Sequence, residues 1–159
     1  MAGTATPATA LLVRQRIPHS LHPYDVPPTT PNYGLVVAAA LGVGPELVFK
    51  TLIVEVDGRL HTAVVPVAEE LDLKALAAAA GGKRAGLADR AIAERVTGYV
   101  RGGISPLGQR RRLCTVVDST AEGLSALYIS AGRRGLQLRM SAMDLVRLTA
   151  ATVAPIAAR

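Results

Sequence analysis

The chain has 159 residues, half of them hydrophobic, with 18 basic side chains against 12 acidic ones, a formal net charge of +6 and a pI near 10.1. That length suits one domain, spanning residues 1–159, with a core of its own, and the charge makes a polyanion the partner class to test. One Phe, four Tyr and no Trp are too few for a protein that stacks successive bases, so a nucleic acid would be held through phosphates and shape.

Other classes fall away on simple grounds. A lone cysteine, Cys114, excludes an internal disulfide and a Cys-rich zinc site. The start, "MAGTATPATALLVRQRI", has no basic stretch ahead of its apolar run and does not read as a signal peptide. Apolar runs such as "LVVAAAL" are far too short to span a bilayer, so the expected compartment is the cytoplasm.

In chain order, Thr6 and Pro7 form an N-cap and first-turn pair that opens a helix through roughly Arg16. "IPHSLHPYDV" reads as an irregular edge strand, because Pro18 and Pro23 remove ladder donors. After the turn-rich "PPTTPN" comes a second helix, "YGLVVAAALGV", ended by Gly42 and Gly44. "FKTLIVEVDGRLHTAVVPV" places two β-branched runs around Asp57-Gly58, the dipeptide favoured in a type I′ hairpin. "LDLKALAAAAGG" and "LADRAIAERV" are helices, the second with Asp89 near its cap. A glycine-rich loop follows, and then the strands "RRLCTVVD" and "ALYISAG". A "GRRG" turn leads into "LQLRM", and Ser141 with Asp144 starts a last helix in near capping-box form. Interleaved helices and hairpins without a repeat predict a mixed α/β (α+β) fold with a mostly antiparallel sheet.

The stretch "GGISPLGQRRR" concentrates turn residues directly before three arginines. It is not a Walker loop, since no Lys-Ser/Thr pair follows its final glycine, and no GxSxG elbow occurs elsewhere. His19, His22 and His61 lack partners at metal-ligand spacing, which predicts no metal site. Cys114 lies in an apolar strand and is expected to be a small core residue. Lys50 opens the first hairpin strand on the face of Leu52, Val54 and Val56. There its amine either reaches for an anion or carbonyl oxygen or snorkels into water.

"VFKTLIVEVDG", "TGYVRGGISPLGQRRRL" and "YISAGRRGLQL", in this order, resemble the YbaK/EbsC family of aminoacyl-tRNA deacylases, and within it the Cys-tRNA(Pro) deacylase branch. The likeness runs from about residue 8 to residue 155. It implies the fold of the editing domain inserted in bacterial prolyl-tRNA synthetases, a largely antiparallel, barrel-like sheet surrounded by helices. It also implies trans-editing without a cofactor: removal of cysteine from mischarged Cys-tRNA(Pro), and on a wider reading Cys-tRNA(Cys), with prolyl-tRNA synthetase as a potential partner. The family's essential lysine falls on Lys50, with Thr51 beside it. Its pocket aromatics fall on Tyr24 and Tyr33, its loop glycine on Gly102 followed by Gly103, and its later serine on Ser130. Where the family commonly has an acidic residue after "RGL", this chain has Gln137, which keeps an acceptor but removes a charge.

The chemistry the resemblance implies is substrate-assisted: the cysteine thiol attacks its own ester carbonyl, so the protein supplies no nucleophile. The amides of Gly102 and Gly103 would face the oxyanion, with Lys50 fixing the carbonyl or the terminal ribose-phosphate. Arg110, Arg111 and Arg112 are expected at the pocket's edge near RNA phosphates, with Arg133 and Arg134 extending that surface. Two alternatives stay open: an Ala- or Ser-tRNA deacylase of the same fold using water, and a non-catalytic module that binds tRNA or a synthetase.

Overall fold

The computed structural model describes residues 3–158. Helix α1 (Pro7–Arg14) begins as expected, with Thr6 and Thr9 closing a reciprocal capping box. Strand β1 (His19–Pro23) is an edge strand, and α2 (Tyr33–Leu41) ends at Gly42. A short 3-10 turn leads into β2 (Phe49–Val56) and β3 (Arg59–Pro66). Asp57 and Gly58 both have positive φ, 48° and 82°, the requirement of a type I′ turn. Then come β4 (Glu70–Leu71), α3 (Leu73–Ala79), β5 (Ala85–Leu87) and α4 (Arg90–Thr97). The glycine-rich loop precedes β6 (Cys114–Asp118), β7 (Ala126–Arg133), β8 (Leu136–Ser141) and α5 (Ala142–Thr149). Strands β9 (Thr152–Ala154) and β10 (Ala157–Ala158) finish the described chain.

Among the described residues the strands form three ladders, in the orders β5-β2-β3-β6-β9, β1-β8-β7 and β10-β4. Most pairings are antiparallel, but β3–β6 and β6–β9 are parallel, a mixture the sequence pattern did not distinguish. A single parallel bridge, Val48 to Tyr128, ties the two larger sheets together at the foot of β2.

β3 lies at the centre of the five-stranded sheet and is buried on both faces, which explains its near-continuous apolar run. Val64 turns toward a core of Leu12, Phe49, Val117, Ile129, Leu138 and Leu145. Its neighbours Ala63 and Val65 turn the other way, onto Val54, Leu76, Val116 and Ile156. Asp118 closes the structure behind this sheet. Burial alone would raise its carboxyl pKa. Hydrogen bonds donated by Thr120 Oγ1 (2.7 Å) and by the amides of Thr120, Ile156 (2.9 Å) and Ala157 (2.9 Å) hold it below the usual range. One buried carboxylate thus pins the returning C-terminal segment.

Cys114 corrects one expectation. It is exposed rather than a core residue, because it opens β6 just after the loop, before the strand enters the interior at Thr115.

Candidate active site

Strand β5 is only three residues long and pairs with Val54–Val56, leaving the lower half of β2 without a ladder partner on that edge. A cleft of about 520 Å³ opens there. With its edge free, β2 contributes consecutive residues, Phe49 through Ile53, instead of every second one. Helix α2 supplies Tyr33, Gly34 and Val37; α4 supplies Arg90, Ala93 and Glu94; the glycine-rich loop supplies Arg101, Gly102 and Ile104; and β7 and β8 supply Ser130 and Gln137.

Six of the predicted residues therefore share one cleft: Lys50, Thr51, Tyr33, Gly102, Ser130 and Gln137. Lys50 is half-buried, and its side-chain amine makes no hydrogen bond or ion pair among the described residues. Two further lining groups are buried without partners, Thr51 Oγ1 and Gln137 Oε1, and Gln137 is only 7% exposed. A buried acceptor with no donor costs about 1–3 kcal/mol, and a ligand with polar hydrogens would recover that cost. Ser130 sits opposite Gln137 across the β7–β8 ladder, and its Oγ accepts the Gly132 amide at 3.1 Å. No histidine or carboxylate lies within hydrogen-bond distance of it among the described residues.

Tyr24 stands one step back. It does not line the cleft, but its hydroxyl meets that of Tyr33 at 2.9 Å, and the two rings make an edge-on contact at 6.3 Å. Burial, and then the Tyr24 hydrogen bond, push the Tyr33 phenol well above its usual pKa, so it stays neutral.

The loop is built for close backbone approach. Gly103 is buried, and a Cβ there would lie 2.7 Å from the Arg133 carbonyl carbon and 2.8 Å from both Arg133 Cα and the Arg134 nitrogen. The "RGG" loop and the "GRRG" turn therefore touch main chain to main chain. Tyr99 secures the same loop from below. Its buried hydroxyl donates to Leu107 O at 2.6 Å, and burial lifts its pKa to about 12.

Gly103 differs from expectation in one respect: its amide donates to Val100 O at 2.9 Å, closing a turn, and is not free for a ligand. The Arg101 amide donates to Glu94 Oε2 at 2.8 Å. Only the Gly102 amide, at φ +87°, is left without a partner among the three.

The arginines also sort differently from expectation. Arg110, Arg111 and Arg112 are exposed, and none lines the cleft. The amides of Arg110 and Arg111 bind back to Thr97 O and Val96 O, which ties this run to the end of α4. Arg112 borders a second, smaller hollow beside Leu11 and Leu148. Arg133 is half-buried, with Nε donating to Gly3 O at 2.7 Å. Arg134 reaches the loop, its Nε donating to Arg101 O at 2.8 Å.

The cations that do line the cleft besides Lys50 are Arg90 and Arg101, and Glu94 is its one acidic residue. The Arg101 amide above all, then Arg90, keeps the Glu94 carboxylate below its usual pKa. None of these three was singled out from the sequence. The only signal for Arg90 and Glu94 was their i,i+4 spacing, which looks like any solvated helix pair.

Comparisons with known proteins bear on the fold and the family. The aminoacyl-tRNA editing domain family matches residues 35–148. A protein of Enterococcus faecalis with the provisional name Cys-tRNA(Pro)/Cys-tRNA(Cys) deacylase EbsC is 39% identical over 115 residues, covering 71% of this chain and 70% of that protein. A crystal structure described only as that of a hypothetical protein superposes with a TM-score of 0.85 at 27% identity, over 96% of this chain and all of the other. A provisionally described trans-editing enzyme for prolyl tRNA synthetase shares the fold with a TM-score of 0.85 at 20% identity, over 100% and 99% of the two chains. With the family match covering most of the chain, the glycine-rich loop included, and a relative 39% identical over 71% of it, the chain belongs to the aminoacyl-tRNA editing domain family.

Proposed function

We propose that this protein is a deacylase that removes cysteine from mischarged Cys-tRNA(Pro), and that Cys-tRNA(Cys) is a second substrate. The observation that carries the reading is one apolar cleft holding an unpaired lysine, a free glycine amide and two buried acceptors without donors. Family membership and the E. faecalis relative support the substrate class.

In the proposed reaction the substrate's thiol sulfur bonds to its own ester carbonyl carbon. The carbon–oxygen bond to the 3′-terminal ribose breaks, the thiol proton ends on the ribose oxygen, and cysteine leaves as a cyclic thiolactone. Intramolecular attack draws on effective molarities of about 10⁵ M and upward. A neighbouring methylene distinguishes small side chains by only about 1–3 kcal/mol, so a nucleophile carried by the cargo selects cysteine better than pocket size does. Gly102 N–H is assigned to the developing oxyanion. Lys50 is assigned to the carbonyl or the terminal phosphate. The acceptors Thr51 and Gln137, with Ser130, are assigned to the aminoacyl group, and Tyr33, held by Tyr24, to the pocket wall. Arg110, Arg111 and Arg112 are exposed outside the cleft lining and are assigned to more distant phosphates, with Arg133 behind the loop. We further infer that the two larger sheets, bridged at Val48–Tyr128, form the barrel-like arrangement of the editing fold. Choice of tRNA is assigned to the acceptor stem or to a prolyl-tRNA synthetase that presents it.

Incubation of the purified protein with labelled Cys-tRNA(Pro) tests the reading. Cysteine should be released well above the buffer blank, and release no faster than the blank ends the claim.

A further inference from the structure

The "GRRG" turn carries a second arginine whose contact is more specific than a surface charge requires. Arg134 Nε donates to the carbonyl oxygen of Arg101 at 2.8 Å. That carbonyl belongs to the same peptide unit as the Gly102 amide. No peptide bond is cis, so the carbonyl and the N–H of this unit point in opposite directions. A guanidinium on the oxygen therefore leaves the Gly102 N–H at the opposite edge of the peptide unit from the atom Arg134 contacts.

Three further contacts hold the residues on either side of this peptide. Gly103 N–H closes the turn onto Val100 O, Glu94 holds the Arg101 amide, and Gly103 packs directly on the Arg133–Arg134 main chain. Within this frame the Gly102 amide is the donor left over, and Gly102 lines the cleft. A positive charge on the carbonyl oxygen draws electron density from the amide nitrogen. The N–H becomes a stronger donor, as cooperative hydrogen-bond chains do generally.

We propose that Arg134 is a positioning residue that orients and polarises the Arg101–Gly102 peptide so that the Gly102 N–H faces the reacting carbonyl, and is not a tRNA phosphate contact. The assignment rests on the deacylase reading above. It takes the residue out of the RNA-binding set that its charge alone suggests.

The two roles separate in kinetics. With Arg134→Gln, the positioning role predicts about a tenfold fall in kcat at nearly unchanged KM, a fraction of the 10²–10³ lost when a whole oxyanion donor is removed. A phosphate contact predicts the reverse: a raised KM, intact kcat, and a salt slope smaller by roughly 0.7–0.9. That second pattern overturns the proposal.

Two more readings guard against a merely structural effect. In Arg134→Ala, millimolar guanidinium should restore kcat where equal sodium chloride does not, and no difference between the salts counts against the proposal. In the absence of substrate, the Gly102 amide nitrogen should shift upfield in Arg134→Ala and return with guanidinium. An unmoved resonance in a folded variant overturns the proposal. If the unmodified protein releases no cysteine, the deacylase reading fails by itself, and the resonance alone decides whether Arg134 governs this peptide.

Discussion

Gly103→Ala is the sharpest perturbation the structure offers, because the obstacle is backbone. The new methyl carbon would sit 2.7–2.8 Å from three main-chain atoms of Arg133 and Arg134, against the 3.4–4 Å of ordinary contact. One strand of the contact must retreat by about 0.7 Å or more, and no flexible side-chain tip is available to absorb it. Inserting a methyl into a packed site costs about 1–3 kcal/mol. For a protein of this size each kcal/mol lowers Tm by about 2–4 °C, so the expected drop is about 2–12 °C. Activity should fall further than stability. A displacement of this size at the neighbouring Gly102 approaches the 1 Å misplacement that costs about 10²-fold. Gly86→Ala is the control, since nothing lies within 4 Å of its added carbon and its φ is outside the left-handed region. It should stay within about 1 kcal/mol of the parent protein. Thermal melts and single-turnover deacylation of both variants decide the matter. A Gly103→Ala protein that melts and turns over like the parent would refute the main-chain lock.

Other expectations follow from the same geometry. Lys50→Ala should melt within a few degrees of the parent, because the side chain has no partner to lose, while deacylation falls by about 10²-fold or more in a gel-based assay. Thr51→Val replaces an unpartnered buried hydroxyl with its isostere. It should hold or raise stability by up to about 1 kcal/mol in a denaturant titration while weakening turnover. The Asp118 carboxyl is lowered in the folded state, so its contribution is present above the unfolded carboxylate pKa of about 3.9 and is lost as pH falls through the folded value. Asp118→Asn should therefore be less stable at neutral pH and show a flatter acid limb when Tm is followed from pH 7 down to 2.

Local chemistry made much of the scaffold readable. Thr6-Pro7, Asp57-Gly58 and Ser141 each dictate backbone geometry within a few residues, and each element begins or turns where they predict. Strands of two or three residues such as β4, β5, β9 and β10 leave no periodic trace, because their partners are distant in the chain. The parallel pairing of β6 with β3 is likewise a tertiary fact. Five of the six site positions in the cleft lie on strands and turns with fixed register, and Tyr33 joins them from the start of α2. The misplacements share another cause. Arg110–Arg112 were read as neighbours of Gly102 because they are close in sequence, yet the loop folds back on α4 between them. Gly103 was read as a free donor because glycine permits close approach, but the turn uses its amide. Cys114 was read as core from its apolar neighbours, and it lies one residue short of the interior.

The central claim is that the cargo amino acid carries the attacking atom. Parallel time courses of release from Cys-tRNA(Pro) and from the same tRNA charged with S-methylcysteine address it directly. The account predicts rapid release of cysteine and background release of the methylated residue. Equal enzymatic rates for the two would contradict it and place an activated water in the cleft instead.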